Sequence, residues 1–357
     1  MPERVLVSLL LTFSILGGCS TQQHPGTINP GLLRAFSPLP AVISSPDNPV
    51  TPEKVDLGRR LYFDTRLSRN NDISCATCHP LERYGADGRR VSVGHRGRRG
   101  DRNSPSVYNA AGHFVQFWDG RAKTIEDQAK APILNPAEMA MESGEAVVEA
   151  LRRDPSYVEA FAKAFPGEAD PLTFDNLAKA IGAFERTLTT PARWDAFLRG
   201  DQTALSPEEK AGFVKFTQLG CMTCHRGAYV GGEMYSRLGI VKVWPDKKDP
   251  GRYRVTRNER DRFVFKVPSL RNVTKTGPYL HDGSVSSLEE MVRIMADYQL
   301  GKTLSDEEVA AIVKWLDTLT GELPAEFAPH AGRTLRGPTA GRAPAPGPGS
   351  TPEATIP

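Results

Sequence analysis

The sequence predicts a mainly α-helical chain organised as two units, and three observations point there. Apolar residues recur at helical spacing in several runs, two of which open on complete capping boxes. Alternating strand patterns are scarce. A five-residue pattern, Cys-x-x-Cys-His, occurs twice at positions 146 residues apart, inside a body of about 270 residues that is long enough for two ordinary domains.

The helices follow in order. Thr51-Pro52 opens an amphipathic run to Phe63, with proline at a first helical position. Val147 to Phe165 reads as two short helices broken at Asp154-Pro155, and Thr173 to Leu188 carries apolar residues at helical spacing. Ser206-Pro-Glu-Glu209 and Ser305-Asp-Glu-Glu308 are the capping boxes. The first leads into the second Cys-x-x-Cys-His. The other begins a last helix whose Val309, Ile312, Val313, Leu316 and Leu319 stripe reads as core.

Both ends differ from this body. Val5 to Leu16 is almost wholly apolar after a charged start and is followed by Gly17-Gly18-Cys19, which describes an export signal too short to span a membrane. Leu16-Gly-Gly-Cys19 also resembles a bacterial lipobox, in which Cys19 is lipidated and becomes the mature N-terminus; an ordinary signal peptide is the alternative. Ser20 favours an outer-membrane destination from the periplasm. Residues 19–50 read as a lipidated, flexible spacer and residues 322–357 as a proline-rich disordered tail. The expected organisation is therefore signal 1–18, spacer 19–50, a first unit 51–200, a second unit 201–321 and the tail.

Cys75-Ala-Thr-Cys78-His79 and Cys221-Met-Thr-Cys224-His225 each offer two thiols to the vinyl groups of one haem and an imidazole to its iron. A zinc site would need a second pair or a His-x-His partner close by, and a redox dithiol needs no following histidine. Two covalent c-type haems are expected, one in each of two cytochrome c-like units joined by long loops. Of five cysteines, four are used here and the fifth is Cys19, so none remains for a disulfide.

Sixth ligands decide whether a haem can bind a substrate. For the second haem, Met291 and Met295 lie four residues apart on one helix, and spacing alone does not choose between them. For the first, Met139 and Met141 stand where an electron carrier would keep its methionine, whereas His95 sits in the flexible loop Gly94-His-Arg-Gly-Arg-Arg-Gly100. The formal charge of +3 is too small to imply a nucleic-acid partner. His113, His281 and His330 are assigned no iron.

Leu57-Gly-Arg-Arg-Leu-Tyr-Phe-Asp64, Leu67-Ser-Arg69, Ile73 to His79, Asn109-Ala, Gln116-Phe-Trp-Asp-Gly-Arg121, Asn135-Pro136, Gly277-Pro-Tyr-Leu-His-Asp-Gly283 and Tyr298-Gln-Leu-Gly301 together resemble the bacterial di-haem cytochrome c peroxidases, from about Thr51 to Gly321. The resemblance implies that the haem on His79 is the peroxidatic centre, with His95 as a ligand that leaves on activation. It implies Glu138 as catalytic acid and base, Gln128 as a second distal residue and Trp118 as the bridge between haems. It selects Met295 as ligand of the high-potential haem on His225, and a calcium ion at Asn103, Thr276 and Pro278. The implied reaction reduces hydrogen peroxide with electrons from a small exported cytochrome c or copper protein, in a monomer or a homodimer. Two rivals remain: a di-haem electron carrier, and a protein-modifying oxidase of the methylamine-utilisation type, which has tyrosine where this chain has Met295.

Overall fold

The computed structural model describes residues 28–328. The export segment, Cys19 and residues 329–357, with His330, lie outside the described residues. Among the described residues no helix is long and apolar enough to cross a membrane.

The chain is mainly helical, as expected. The helices are α1 (Pro30–Leu33), α2 (Pro52–Tyr62), α3 (Cys75–Cys78), α4 (Ile125–Leu134), α5 (Gly144–Arg152), α6 (Pro155–Ala164), α7 (Phe174–Glu185), α8 (Arg193–Leu198), α9 (Pro207–Leu219), α10 (Tyr253–Thr256), α11 (Leu288–Leu300) and α12 (Asp306–Asp317). Two short strands, β1 (Tyr235–Arg237) and β2 (Val264–Lys266), pair antiparallel with Tyr235 opposite Lys266. Loops and 3-10 turns make up the remainder.

Local chemistry starts these helices where the sequence places them. The Thr51 hydroxyl accepts from the Lys54 N–H ahead of Pro52. In both capping boxes the reciprocal bonds form: the Glu209 carboxylate accepts from the Ser206 N–H at 2.8 Å, and Glu308 accepts from the Ser305 N–H at 3.0 Å. Asp154 caps α6 through the Ser156 N–H, which breaks α5 from α6 at the expected place.

Two helix pairs carry the packing, and each closes over a glycine. A methyl group on Gly58 of α2 would collide with the Ala180 carbonyl of α7, and one on Gly212 of α9 would collide with the Ala311 carbonyl of α12. Around the first pair lies a core containing Leu57, Leu61, Phe161, Leu177 and Ile181. Around the second lies a more aromatic core, in which Trp194 and Trp315 meet edge to face at 5.6 Å beside Phe213 and Phe216.

Each half also holds a buried ion pair. Arg271 meets Asp195 at 2.7 Å with both side chains essentially inaccessible, and the same carboxylate accepts from the Leu39 and Ala192 N–H groups. In the first half Arg186 meets Glu126 at 2.8 Å. A ladder of buried polar groups joins the halves: Asn109 and Asn272 both donate to the Thr190 hydroxyl, and Asn272 accepts from the Gly321 N–H.

Three expectations about the chain's organisation need correction. Residues 28–50 are not a free spacer, because Phe36, Leu39 and Ile43 are buried and Phe36 packs edge-on against Trp194 at 5.6 Å. Their apolar residues come in ones, twos and threes between prolines, so no periodicity announced them. The tail is packed as far as Phe327, which joins Tyr62 and Phe184 in one cluster while Glu326 pairs with Arg59 at 2.7 Å. The first half ends before residue 200, since Trp194 and Phe197 of α8 belong to the second core.

Candidate functional site

Each Cys-x-x-Cys-His is wound into a single turn. In α3 the Ser74 N–H donates to the Thr77 hydroxyl at 3.0 Å, and the turn closes with the His79 N–H on the Cys75 carbonyl at 2.9 Å. The second turn follows Gly220, whose φ of 99° ends α9, and closes with the His225 N–H on the Cys221 carbonyl at 3.0 Å. Both cysteines of each pair are thus carried on the same turn as the histidine.

The histidines are held alike. Nδ1 of His79 lies 3.1 Å from the Gly85 carbonyl, and Nδ1 of His225 lies 3.3 Å from the Val230 carbonyl. Burial lowers the pKa of both, that of His225 to about 4, so each ring is neutral. A neutral ring whose Nδ1–H is given to a carbonyl presents the Nε2 lone pair, as an iron ligand must. The four cysteines form no disulfide, and burial pushes the Cys221 thiol up to about 11 and Cys75 higher still. Two thiols and an oriented imidazole facing one cavity, twice over, fit covalently attached haem.

The two cavities differ. Beside His79 is a space of about 150 Å³ whose wall includes Cys75, Cys78, Trp118, Arg121, Gln128, Glu138 and Glu185. Beside His225 is one of about 430 Å³, walled by Cys221, Cys224, Met291, Met295, Asn103, Thr276, Pro278 and His281. Trp118 and Asn103 stand in both walls. The Trp118 indole N–H donates to the Asn103 carbonyl at 2.9 Å, which fixes the ring between them.

Glu138 is placed by the turn after α4. Asn135 organises it, accepting from the Ala137 N–H through its side chain and donating to the Glu138 carboxylate at 2.7 Å. Burial raises the Glu138 pKa, opposed by the Arg121 charge and the bond from Asn135. The loop carrying His95 is pinned to this turn by the His95 N–H on the Glu138 carbonyl at 2.8 Å, and the space at Gly94 is too tight for any side chain. His95 itself is buried, its Nδ1 has no partner, and it is not part of the cavity wall. His95 is thus tied to the Glu138 turn without lining the cavity. Met139 reaches that wall but is packed in the first core, and Met141 does not reach it.

At the second site both Met291 and Met295 face the cavity from α11, one turn apart. Asn103, Thr276 and Pro278 come together in one wall, and the Thr276 hydroxyl donates to the Asn272 carbonyl at 3.3 Å. Among the described residues no three His, Cys, Asp or Glu side chains cluster to hold a metal ion.

Two lining residues escaped the sequence reading. Glu185 is buried with Oε2 unpartnered, and burial together with the Glu126 charge pushes its pKa up to about 8. Its signal was an acid four residues after Ile181 and eight after Leu177, on a buried helix face. Lys266, on a strand of three residues, offered no such signal.

Comparison with known proteins agrees with this geometry. Residues 52–203 match the family described as di-haem cytochrome c peroxidase. Cytochrome c551 peroxidase of Pseudomonas aeruginosa is 44% identical over 296 residues, covering 81% of this chain and 85% of that protein. Its namesake from Nitrosomonas europaea is 43% identical over 301 residues, covering 82% and 87%. A solved MauG-like protein associated with microbial copper homeostasis superposes with a TM-score of 0.73 at 29% identity, covering 83% of this chain and 97% of that one. This chain belongs to the di-haem cytochrome c peroxidase family.

Proposed function

We propose that the protein is a cytochrome c peroxidase with two haem-bearing units, the first reaching from about Pro52 to Thr190 and the second onward to Gly321. It would reduce hydrogen peroxide with two protons and two electrons to two waters. Haem c, held at Cys75, Cys78 and His79 and again at Cys221, Cys224 and His225, supplies the redox-active irons for peroxide binding and electron relay.

The chain's own residues divide the remaining work. Glu138 takes a proton from the inner oxygen of peroxide and gives it to the outer one, which then leaves as water. A pKa raised by burial brings its two protonation states closer in energy near neutral pH. Gln128 orients peroxide from the same wall. Trp118, common to both walls, lies on the electron path. His95 is the ligand that joins or leaves the first site, and Met295 is the thioether of the second. Calcium at Asn103, Thr276 and Pro278 would take carbonyl and amide oxygens with water completing its shell. The donor is a small exported cytochrome c or cupredoxin, and the protein is anchored in the periplasm by a lipid on Cys19, as a monomer or a homodimer.

The observation that carries this reading is the half-buried carboxyl of Glu138, which forms no ion pair among the described residues, in the wall it shares with His79. The experiment is an EPR and visible spectrum of the holoprotein, oxidised and then half-reduced with ascorbate, followed by peroxide with reduced cytochrome c. Conversion of a low-spin His/His signal to high spin, with oxidation of the donor, is expected. Two haems that stay low-spin His/Met and ignore peroxide would instead make this an electron carrier.

A further inference from the structure

Lys266 is buried at the wall of the larger cavity, and among the described residues no carboxylate lies within ion-pair reach of it. Its ammonium has two partners, the Val115 carbonyl and Nδ1 of His113, each at 3.3 Å. An ammonium has three N–H donors, so one is left over. Because an ammonium can only donate, His113 must carry its own proton on Nε2, and that nitrogen is buried without a partner. Burial and the Lys266 charge keep the His113 ring neutral.

One cavity wall therefore holds a buried positive charge with one unmatched N–H donor. Among the described residues no aspartate or glutamate lines that cavity. The other cation in the wall, Arg271, is already satisfied by Asp195 and the Ala228 carbonyl. An uncompensated buried ammonium costs several kcal/mol, so this arrangement is complete only with an anion that accepts the ammonium's remaining hydrogen bond. A carboxylate has that charge and that capacity.

We propose that Lys266, its ammonium held by His113, forms the seat of a propionate carboxylate of the second haem. The inference rests on the reading that c-type haem occupies this cavity. Thioethers at Cys221 and Cys224 consume the vinyl groups and leave the propionates as the only anionic groups of the ring periphery. The backbone N–H of Lys266 donates to the Trp118 carbonyl at 2.7 Å, so the seat is tied to the residue shared by both walls. A fixed positive charge here favours the reduced haem, which carries one positive charge fewer than the oxidised form.

The test is a potentiometric titration of the holoprotein, followed in the visible spectrum, with haem content measured first. Lys266→Met should move the second haem's reduction equilibrium about tenfold toward the oxidised form, a fall of about 59 mV for a one-electron couple. Lys266→Arg should hold it, and His113→Phe should lower it by a smaller amount. A Lys266→Met protein with two haems and an unmoved midpoint overturns the seat. Should that variant not mature, His113→Phe decides: an unmoved second midpoint overturns the seat, and a lowered one supports it. Wild-type protein holding fewer than two haems would instead overturn the underlying reading of the cavity.

Discussion

The two cavities are built on the same turn and furnished in opposite ways. Beside His79 the wall carries two acids, Glu138 and Glu185, both raised by burial; beside His225 the larger wall carries none, and two methionines face inward instead. Cysteine spacing and the Nδ1-to-carbonyl bond are common to both, so attachment does not distinguish the sites. What distinguishes them is whether a proton can be moved at the cavity wall. An acid-lined space suits bond cleavage with proton transfer, and an acid-free, thioether-bearing space suits electron transfer alone.

The sharpest way to break this contrast is to remove the acid. Glu138→Gln keeps the size and the bond from Asn135 but cannot take a proton, and peroxide turnover should fall by about 10²- to 10⁴-fold. Both haem spectra should remain, and steady-state oxidation of reduced cytochrome c is the measurement. Turnover close to wild type would mean the acid lining is not what sets the first cavity apart.

A second comparison concerns the supporting ion pairs. Arg271→Met leaves Asp195 charged and fully buried, which should cost about 3–5 kcal/mol. Arg186→Met should cost less, because Glu126 is partly accessible and keeps its bond from Asn48. Denaturant unfolding of the two variants compares them directly. Equal losses would show that burial of the pair is not the deciding quantity.

The helix crossings should respond alike. Gly58→Ala and Gly212→Ala each press a methyl group onto a backbone carbonyl, and each should destabilise by about 1–3 kcal/mol. Unfolding midpoints of the single variants would reveal any asymmetry between the two halves.

A further contrast concerns pH, through Glu185. An acid whose folded pKa lies above its ordinary value stabilises the fold at low pH and loses that contribution as the pH rises through about 8. The loss is at most about 1.4 kcal/mol per pH unit. Glu185→Gln stays neutral throughout, so its thermal stability should fall less than wild type between pH 5 and pH 8. A parallel decline in both proteins would assign the pH dependence to other groups.

Much of this was legible because it is local. Ser206 with Glu209, Ser305 with Glu308, Asp154 before Pro155 and both haem-binding turns are decided within a few residues. Glu138, Gln128 and Trp118 were legible only through long ordered motifs, since an acid, an amide or an indole alone says little. Phe36 on Trp194, Phe327 on Phe184, and Arg271 on Asp195 were not legible, because each joins residues far apart in the chain. Lys266 and Glu185 escaped for a related reason: their meaning lies in the partners they lack.

The crossing of the chain ends has a consequence for how the protein is made. Phe36 belongs to the core of the second half, while Phe327 closes a cluster of the first. A chain synthesised from its N-terminus therefore cannot finish the second core or the Phe327 cluster until nearly all of it exists. Until that moment both cysteine turns stay reachable, which gives the attachment chemistry its interval: a bulky ring can be joined to thiols that the finished fold will bury.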